Sequence, residues 1–398
     1  MEDWIFAPER FRRLSLIFLG TYYAAVVLSW IVYHYTQADP SGYPQLIDFS
    51  SIWAAGRAAV AGNGARVYDF DYFSTPQIEV FGHQGPFGGG IPYIYPPHLL
   101  LYLAPLGLLP LYPAMVLWLS TTFLAAWAAL RRSAPAAMLT LLGTAPSAVA
   151  FTIGLGQTSF LVTAVIGFSL ALTAESPLAG GFVLGLLSYK PQLGLIFPVV
   201  LLAAGQWRVM LGATASTATL TAVTTLFFGP GVWLDFYAFV TQHIATFRPV
   251  PLEVPISHTV YGFLCWIGCP IDTAKFIHLC VVIPVVIVTC AIWRRPVPYA
   301  LKAASLALGA LLATPYLRIY DLVALAVPVA FLLKEMRRTG FQAGERFALL
   351  AAWLILFASM RPVGCFAPAI LFVVVIRRAF QATPETAPDC VRAIPAAV

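Results

Sequence analysis

Apolar runs of about 20 residues, set off by Pro, Gly and Arg, recur along almost the entire chain and leave few folds open to it. A run of that length crosses the hydrocarbon core of a bilayer as a helix. In lipid only helices and closed barrels satisfy their backbone internally, and these runs lack the alternation of barrel strands. Composition agrees: 60% of the 398 residues are hydrophobic and 10% charged, whereas soluble domains carry about 25% charge. The expected class is an all-α, polytopic membrane helical bundle.

The net charge is +6. Basic residues come in short clusters between the apolar runs and form no continuous patch, so they read as topology signals, and no nucleic-acid partner is expected. Sixteen of the 23 Lys and Arg residues can be placed on one side, among them Arg12, Arg13, Arg131, Arg132, Arg294, Arg295, Arg337, Arg338, Arg377 and Arg378. The positive-inside rule puts that side, with both termini, in the cytoplasm. The first apolar segment, 14–35, is too long for a signal-peptide core and reads as a retained helix. A second, 96–130, is broken at Pro110 and Pro113. Further crossings are expected at 135–153, 157–174, 177–189, 191–206, 209–228, 272–293, 299–315, 319–333, 347–360 and 364–377, about twelve transmembrane helices in all. The stretches 177–189 and 191–206 also fit a single kinked helix. Residues 1–380 then form one membrane domain, and the Ala- and Pro-rich tail 381–398 is expected to be cytoplasmic and disordered.

Two loops, 36–95 and 229–257, face outward in this layout. In the first, Phe49, Ile52, Trp53, Gly56 and Val60 share one helical face, so 48–61 fits an amphipathic helix lying in the interface. A second short helix over 71–81 and a glycine-rich turn at 85–90 follow.

Few polar groups interrupt the apolar pattern. Asp48, Gln157, Lys190, His258 and the turn from Tyr316 to Asp321 all come out at the outer end of the bundle, where they could line one cavity. Asp48 opens the run Asp48-Phe49-Ser50-Ser51-Ile52-Trp53-Ala54-Ala55-Gly56-Arg57, and its carboxylate is either a helix N-cap or a general base. Lys190, in Ser188-Tyr189-Lys190-Pro191-Gln192, carries a cation in apolar surroundings, which costs about 3 kcal/mol unless it is paired or hydrated. It either meets an anion such as a lipid-linked phosphate or snorkels to the interface. Arg318, in Thr314-Pro315-Tyr316-Leu317-Arg318-Ile319-Tyr320-Asp321, either grips phosphate bidentately or pairs with Asp321 three residues on. Asp69-Phe70-Asp71 has the form of a metal-binding D-x-D but reads as ordinary loop acids. The six histidines show no metal spacing, and the six cysteines lie mostly within apolar runs, so neither a metal nor a bridge is expected from them. P-loop, G-x-S-x-G and dinucleotide motifs are missing, which removes ATP-driven transport and serine hydrolysis.

Several sequence pieces fall in a fixed order between residue 48 and about residue 325: Asp48 to Arg57 with Val67-Tyr68-Asp69, Tyr95-Pro96-Pro97 through Ala104-Pro105-Leu106 to Trp118, Gly156-Gln157, Ala179-Gly180-Gly181 through Gly185 to Lys190-Pro191-Gln192, and Thr314-Pro315-Tyr316 to Tyr320-Asp321. In that set the chain resembles glycosyltransferase family 87, integral-membrane mannosyltransferases dependent on polyprenyl-phosphate-mannose, with the C-type membrane glycosyltransferase fold. It departs from the family where members often carry an Asn-Gln-Ser-like turn and this chain has Ser257-His258-Thr259. The resemblance implies an inverting single displacement at the outer face of a bacterial inner membrane. A sugar, mannose first among candidates, would leave a polyprenyl phosphate for a lipid or glycan acceptor, with Asp48 as base and with Lys190 and Arg318 on the donor phosphate. Arg57, Tyr95, Gln157, Gln192, His258, Tyr316, Tyr320 and Asp321 are then candidates for the substrate pocket. Membrane lipids, the lipid-linked donor and the acceptor are the implied partners, with no cofactor and no metal. A transporter or flippase of lipid-linked sugars is the alternative from another class. It would carry polar groups across the midplane, whereas here they gather at one end.

Overall fold

The structure, a computed structural model, describes residues 8–36, 47–82, 90–134, 136–246, 257–357 and 361–382. Every regular element among them is helical. In chain order the α-helices of seven residues or more are α1 (Pro8–Thr36), α2 (Phe49–Val60), α3 (Phe70–Phe81), α4 (Leu111–Arg131), α5 (Ala137–Thr144), α6 (Pro146–Leu155), α7 (Ser159–Thr173), α8 (Pro177–Gly185), α9 (Ile196–Ala203), α10 (Trp207–Phe228), α11 (Gly231–Thr246), α12 (Val260–Trp266), α13 (Ile271–Arg294), α14 (Tyr299–Ala313), α15 (Ala326–Thr339), α16 (Glu345–Phe357) and α17 (Phe366–Gln381). Most of the proposed tail and of the glycine-rich turn at 85–90 lies outside the described residues.

The layout of twelve crossings is not what the described residues show. Three helices, Leu111–Arg131, Trp207–Phe228 and Ile271–Arg294, are long and apolar enough to cross a membrane, and α5 with α6 makes a fourth path bent by 83°. Pro146 sets that bend, because proline fits the first helical position but cannot continue a preceding helix. The other expected crossings from 157–174 onward, outside α10 and α13, are helices of eight to sixteen residues. At 1.5 Å per residue these reach about 12–24 Å, short of a hydrocarbon core of about 30 Å. Residues 177–206 are such a broken path, with tight turns at Leu186–Tyr189 and Pro191–Leu193 between α8 and α9.

Two helices form the centre. α14 buries thirteen of its fifteen residues and α7 twelve of its fifteen, as expected for helices apolar on all sides. Their directions fix where the polar residues fall. Arg132 and Glu175 pair at 2.7 Å, joining the C-terminal ends of α4 and α7, and the Tyr299 hydroxyl donates to the Leu170 carbonyl at 2.6 Å, bringing the N-terminus of α14 to the same place. The basic clusters that follow α4, α13 and α15 belong to this end. The N-terminus of α7 and the C-terminus of α14 therefore meet at the other end, about 22 Å away along α14.

The helix expected over 48–61 is present as α2 with nearly those bounds, and nine of its twelve residues are buried in protein. The segment 104–108 packs against it so closely that a methyl on Gly107 would overlap the backbone of Gly56. Trp53 Nε1 donates to the Leu109 carbonyl at 2.9 Å, and Ser50 Oγ to Gln77 Oε1 of α3 at 2.7 Å, so the polar atoms are satisfied inside. Gly107→Val is expected to cost about 2 kcal/mol by overpacking and to lower the melting temperature in detergent. Gly20→Ala, where an added methyl meets nothing within 4 Å, is the control expected to leave it unchanged.

Candidate active site

Asp48 occupies the N-cap position of α2, yet its side chain makes no capping bond. Oδ2 instead accepts from Gln157 Nε2 at 2.5 Å. That amide is delivered by the turn between α6 and α7. Gly156 closes α6 with a left-handed φ of +70°, and the Gln157 N–H returns to the Thr152 carbonyl at 3.0 Å. A Cβ at 156 would lie 2.5 Å from the Cβ of Phe49, so only glycine lets the turn rest on the first residue of α2, beside Asp48. Tyr95 donates its hydroxyl to Gln157 Oε1 at 3.4 Å. Burial pushes the Asp48 carboxyl above the usual carboxylate range, while the Gln157 amide and the Arg318 charge pull it back.

Lys190 and Asp321 are 4% and 1% exposed, and their Nζ and Oδ1 atoms lie 2.5 Å apart. The ammonium also donates to Thr158 Oγ1 at 3.5 Å and stands 5.6 Å from the centre of the Tyr320 ring. The anion that this lysine demands is thus Asp321, and the snorkelling alternative falls away. Asp321 closes its own turn as well: Oδ2 accepts the Arg318 N–H at 3.0 Å, and the Asp321 N–H donates to the Arg318 carbonyl at 3.0 Å. The side-chain ion pair between Arg318 and Asp321 does not form, since Asp321 pairs with Lys190. The half-buried Arg318 guanidinium lies 5.7 Å from the centre of the Tyr316 ring. Among the described residues it makes no salt bridge with a carboxylate, and its charge acts on both Asp48 and His258.

His258 is fastened at both ends. Its N–H donates to the Leu317 carbonyl at 2.6 Å, and Nδ1 accepts from the Gly364 N–H at 3.2 Å. Burial, with the Arg318 charge, lowers its pKa to about 4, so the ring is neutral and pins the 316–321 turn to the start of α17. Five features distant in sequence, Asp48, Gln157, Lys190, His258 and the Tyr316–Asp321 turn, are therefore brought together, with Tyr95 and Tyr320 among them. Two candidates are not. Arg57 is exposed with its guanidinium 5.1 Å from the centre of the Trp53 ring, and Gln192 is half-buried with no hydrogen bond to the others. Thr158 is the residue that sequence reasoning passed over. Its signal was its place between Gln157 and the apolar start of α7. Asp69 caps α3, accepting from the Tyr72 N–H at 3.4 Å, which explains Asp69-Phe70-Asp71 as a helix start. Among the described residues, no group of three or more His, Cys, Asp or Glu is placed to hold a metal ion.

The sequence model of glycosyltransferase family 87 matches residues 93–315, more than half of the chain. The chain belongs to glycosyltransferase family 87. No curated protein and no solved structure matches it. The family 87 match takes in Tyr95, Gln157, Thr158, Lys190 and His258 and ends immediately before Tyr316, while Asp48 precedes it. Family membership makes this an integral-membrane glycosyltransferase.

Removing one partner of a buried ion pair strands the other charge, at about 3 kcal/mol or more. Lys190→Met is therefore expected to lower the melting temperature of the purified protein sharply. Lys190→Met combined with Asp321→Asn, which keeps an acceptor for the Arg318 N–H, is expected to recover most of that loss.

Proposed function

We propose that this glycosyltransferase moves a sugar from a polyprenyl phosphate to a hydroxyl of a lipid or glycan acceptor, with Asp48 as the general base. The observation that carries this reading is an amide-held carboxylate at one end of the bundle, acted on by the charge of a guanidinium that makes no salt bridge among the described residues. Asp48 takes the proton of the acceptor hydroxyl as that oxygen forms its bond to the anomeric carbon. The bond from that carbon to the phosphate oxygen breaks, and the phosphate departs with the electron pair, so the anomeric centre inverts.

A phosphate leaving group needs positive charge more than it needs a proton, and Arg318 offers a planar fork for it. Lys190 is held by Asp321 and supports the reaction by fixing the turn that carries Arg318. Family likeness favours mannose as the sugar. The basic clusters at the opposite end, read by the positive-inside rule, favour the outer face of the inner membrane for the site and the cytoplasm for the termini. A path for flipping a lipid-linked sugar finds less support, because α14 carries no charged residue between Lys302 and the site, and α7 carries none.

The base must be ionised, and burial raises the pH at which Asp48 gives up its proton. Transfer is therefore expected to fall with decreasing pH at a point above about 4, the ordinary carboxylate value. Asp48→Asn should reduce turnover from polyprenyl-phosphate-mannose by about 100-fold or more in purified protein, since general bases contribute about that much. Undiminished turnover would remove Asp48 from this role. Glycosidic product from a different sugar donor, with none from the mannose donor, would correct the sugar while leaving the site in place.

A further inference from the structure

Gln157 and Tyr95 enter the sequence reading as residues that would touch substrate. Their bonding gives them different work. Gln157 is 5% exposed, and its backbone N–H and both ends of its side-chain amide are engaged within the protein: N–H to the Thr152 carbonyl at 3.0 Å, Nε2 to Asp48 at 2.5 Å, and Oε1 from Tyr95 at 3.4 Å. The orientation of the amide follows from chemistry. An ionised carboxylate only accepts, so the NH₂ must face Asp48, which leaves the carbonyl oxygen for the Tyr95 hydroxyl.

Each link then has one direction: Tyr95 donates to Gln157, and Gln157 donates to Asp48. A run of this kind ends at an anion and polarises both bonds in the same sense, so each link strengthens the next. Thr158, the next residue, accepts from Lys190 Nζ at 3.5 Å through its hydroxyl oxygen.

We infer that this directed chain is a positioning device, in which Gln157 and Tyr95 hold one oxygen of Asp48 and leave the other to face the acceptor hydroxyl. The inference rests on Asp48 being the base. The same lysine reaches Arg318 on its other side, through Asp321 and the Arg318 N–H. Two adjacent residues, Gln157 and Thr158, thus tie the start of α7 to the base on one side and to the phosphate-holding turn on the other. A rigid spacing between them matters, because a small misplacement of reacting groups costs about 100-fold in rate.

The test compares Tyr95→Phe, Gln157→Met, Thr158→Val and Thr158→Ser in purified protein, each alone and in the Asp48→Asn background, by transfer from polyprenyl-phosphate-mannose across pH. Tyr95→Phe, Gln157→Met and Thr158→Val are each expected to lower kcat by about tenfold, with the KM for the donor changed less than about threefold, since Gln157→Met and Thr158→Val remove a link to a charged group and Tyr95→Phe frees the amide that holds Asp48. Loss of the donor to the ionised form raises the Asp48 pKa. The acid limb of the pH–rate profile should therefore move to higher pH, by about one unit for Gln157→Met. Thr158→Ser, which keeps the hydroxyl, should retain both rate and limb. In the Asp48→Asn background none of the four should reduce the residual rate further. An increase in KM alone with an unmoved acid limb, or additive losses on top of Asp48→Asn, would overturn the inference and make these residues substrate ligands. Full activity of Asp48→Asn by itself would instead remove the base assignment beneath it, so the two failures are told apart.

Discussion

The buried ion pair of Lys190 and Asp321 is the contact on which this end of the molecule depends. Taking two charges out of water costs several kcal/mol each, and their attraction repays this only if the remaining donors and acceptors are also used. Here they are used. Asp321 spends its second oxygen on the Arg318 N–H, and Lys190 spends further donors on Thr158 and the face of Tyr320. The pair therefore does more than neutralise itself. It closes the turn after α14 on one side and, through Thr158, holds the start of α7 beside Gln157 on the other.

The fold makes that pair possible by burying two helices almost completely and letting both end at one place. Thr158 is the residue before α7, just after the left-handed turn at Gly156, and Thr314 is the residue after α14, just before the turn that carries Arg318. Lys190 arrives from the break between α8 and α9. Non-helical backbone at this depth is tolerated only where protein or a cavity satisfies it, and here the breaks at 156–158, 186–193 and 314–321 each carry a residue of the site. Asp48 comes from outside the central helices, on a short helix pressed into the bundle by the approach of Gly56 and Gly107.

Much of this was legible in the sequence because the physics is severe. A lysine in apolar surroundings must find an anion; the sequence offered a lipid-linked phosphate for it, and the structure supplies Asp321. The common end of Asp48, Gln157, Lys190, His258 and the 316–321 turn followed from the placement of basic clusters at the opposite end. What the sequence could not show is which groups pair. Three-residue spacing pointed Arg318 at Asp321, but that rule belongs to a helix, and the backbone at Arg318 is extended, with φ −91° and ψ 163°. Asp48 looked equally like a cap until Gln157 took its carboxylate. α2 looked amphipathic because its buried polar positions are serines, whose partners, Gln77 and the Pro92 carbonyl, lie far along the chain. The described residues give three or four helical paths that meet the length and hydropathy of a span, against about twelve expected, for a related reason: hydropathy reports that a segment avoids water, and a helix buried in protein does so as well as one that spans lipid.

The central claim is that the carboxylate of Asp48 and the guanidinium of Arg318 serve one pocket from two sides of a bound sugar phosphate. The most direct measurement is an experimental structure of the protein with a non-transferable polyprenyl phosphonate analogue of the donor. The account predicts the phosphonate within hydrogen-bonding distance of Arg318, with the unshared oxygen of Asp48 on the opposite face of the anomeric carbon and Lys190 still paired with Asp321. A phosphonate bound at the basic end near Arg294 and Arg337, or an Asp48 carboxylate turned away from the sugar, would contradict it.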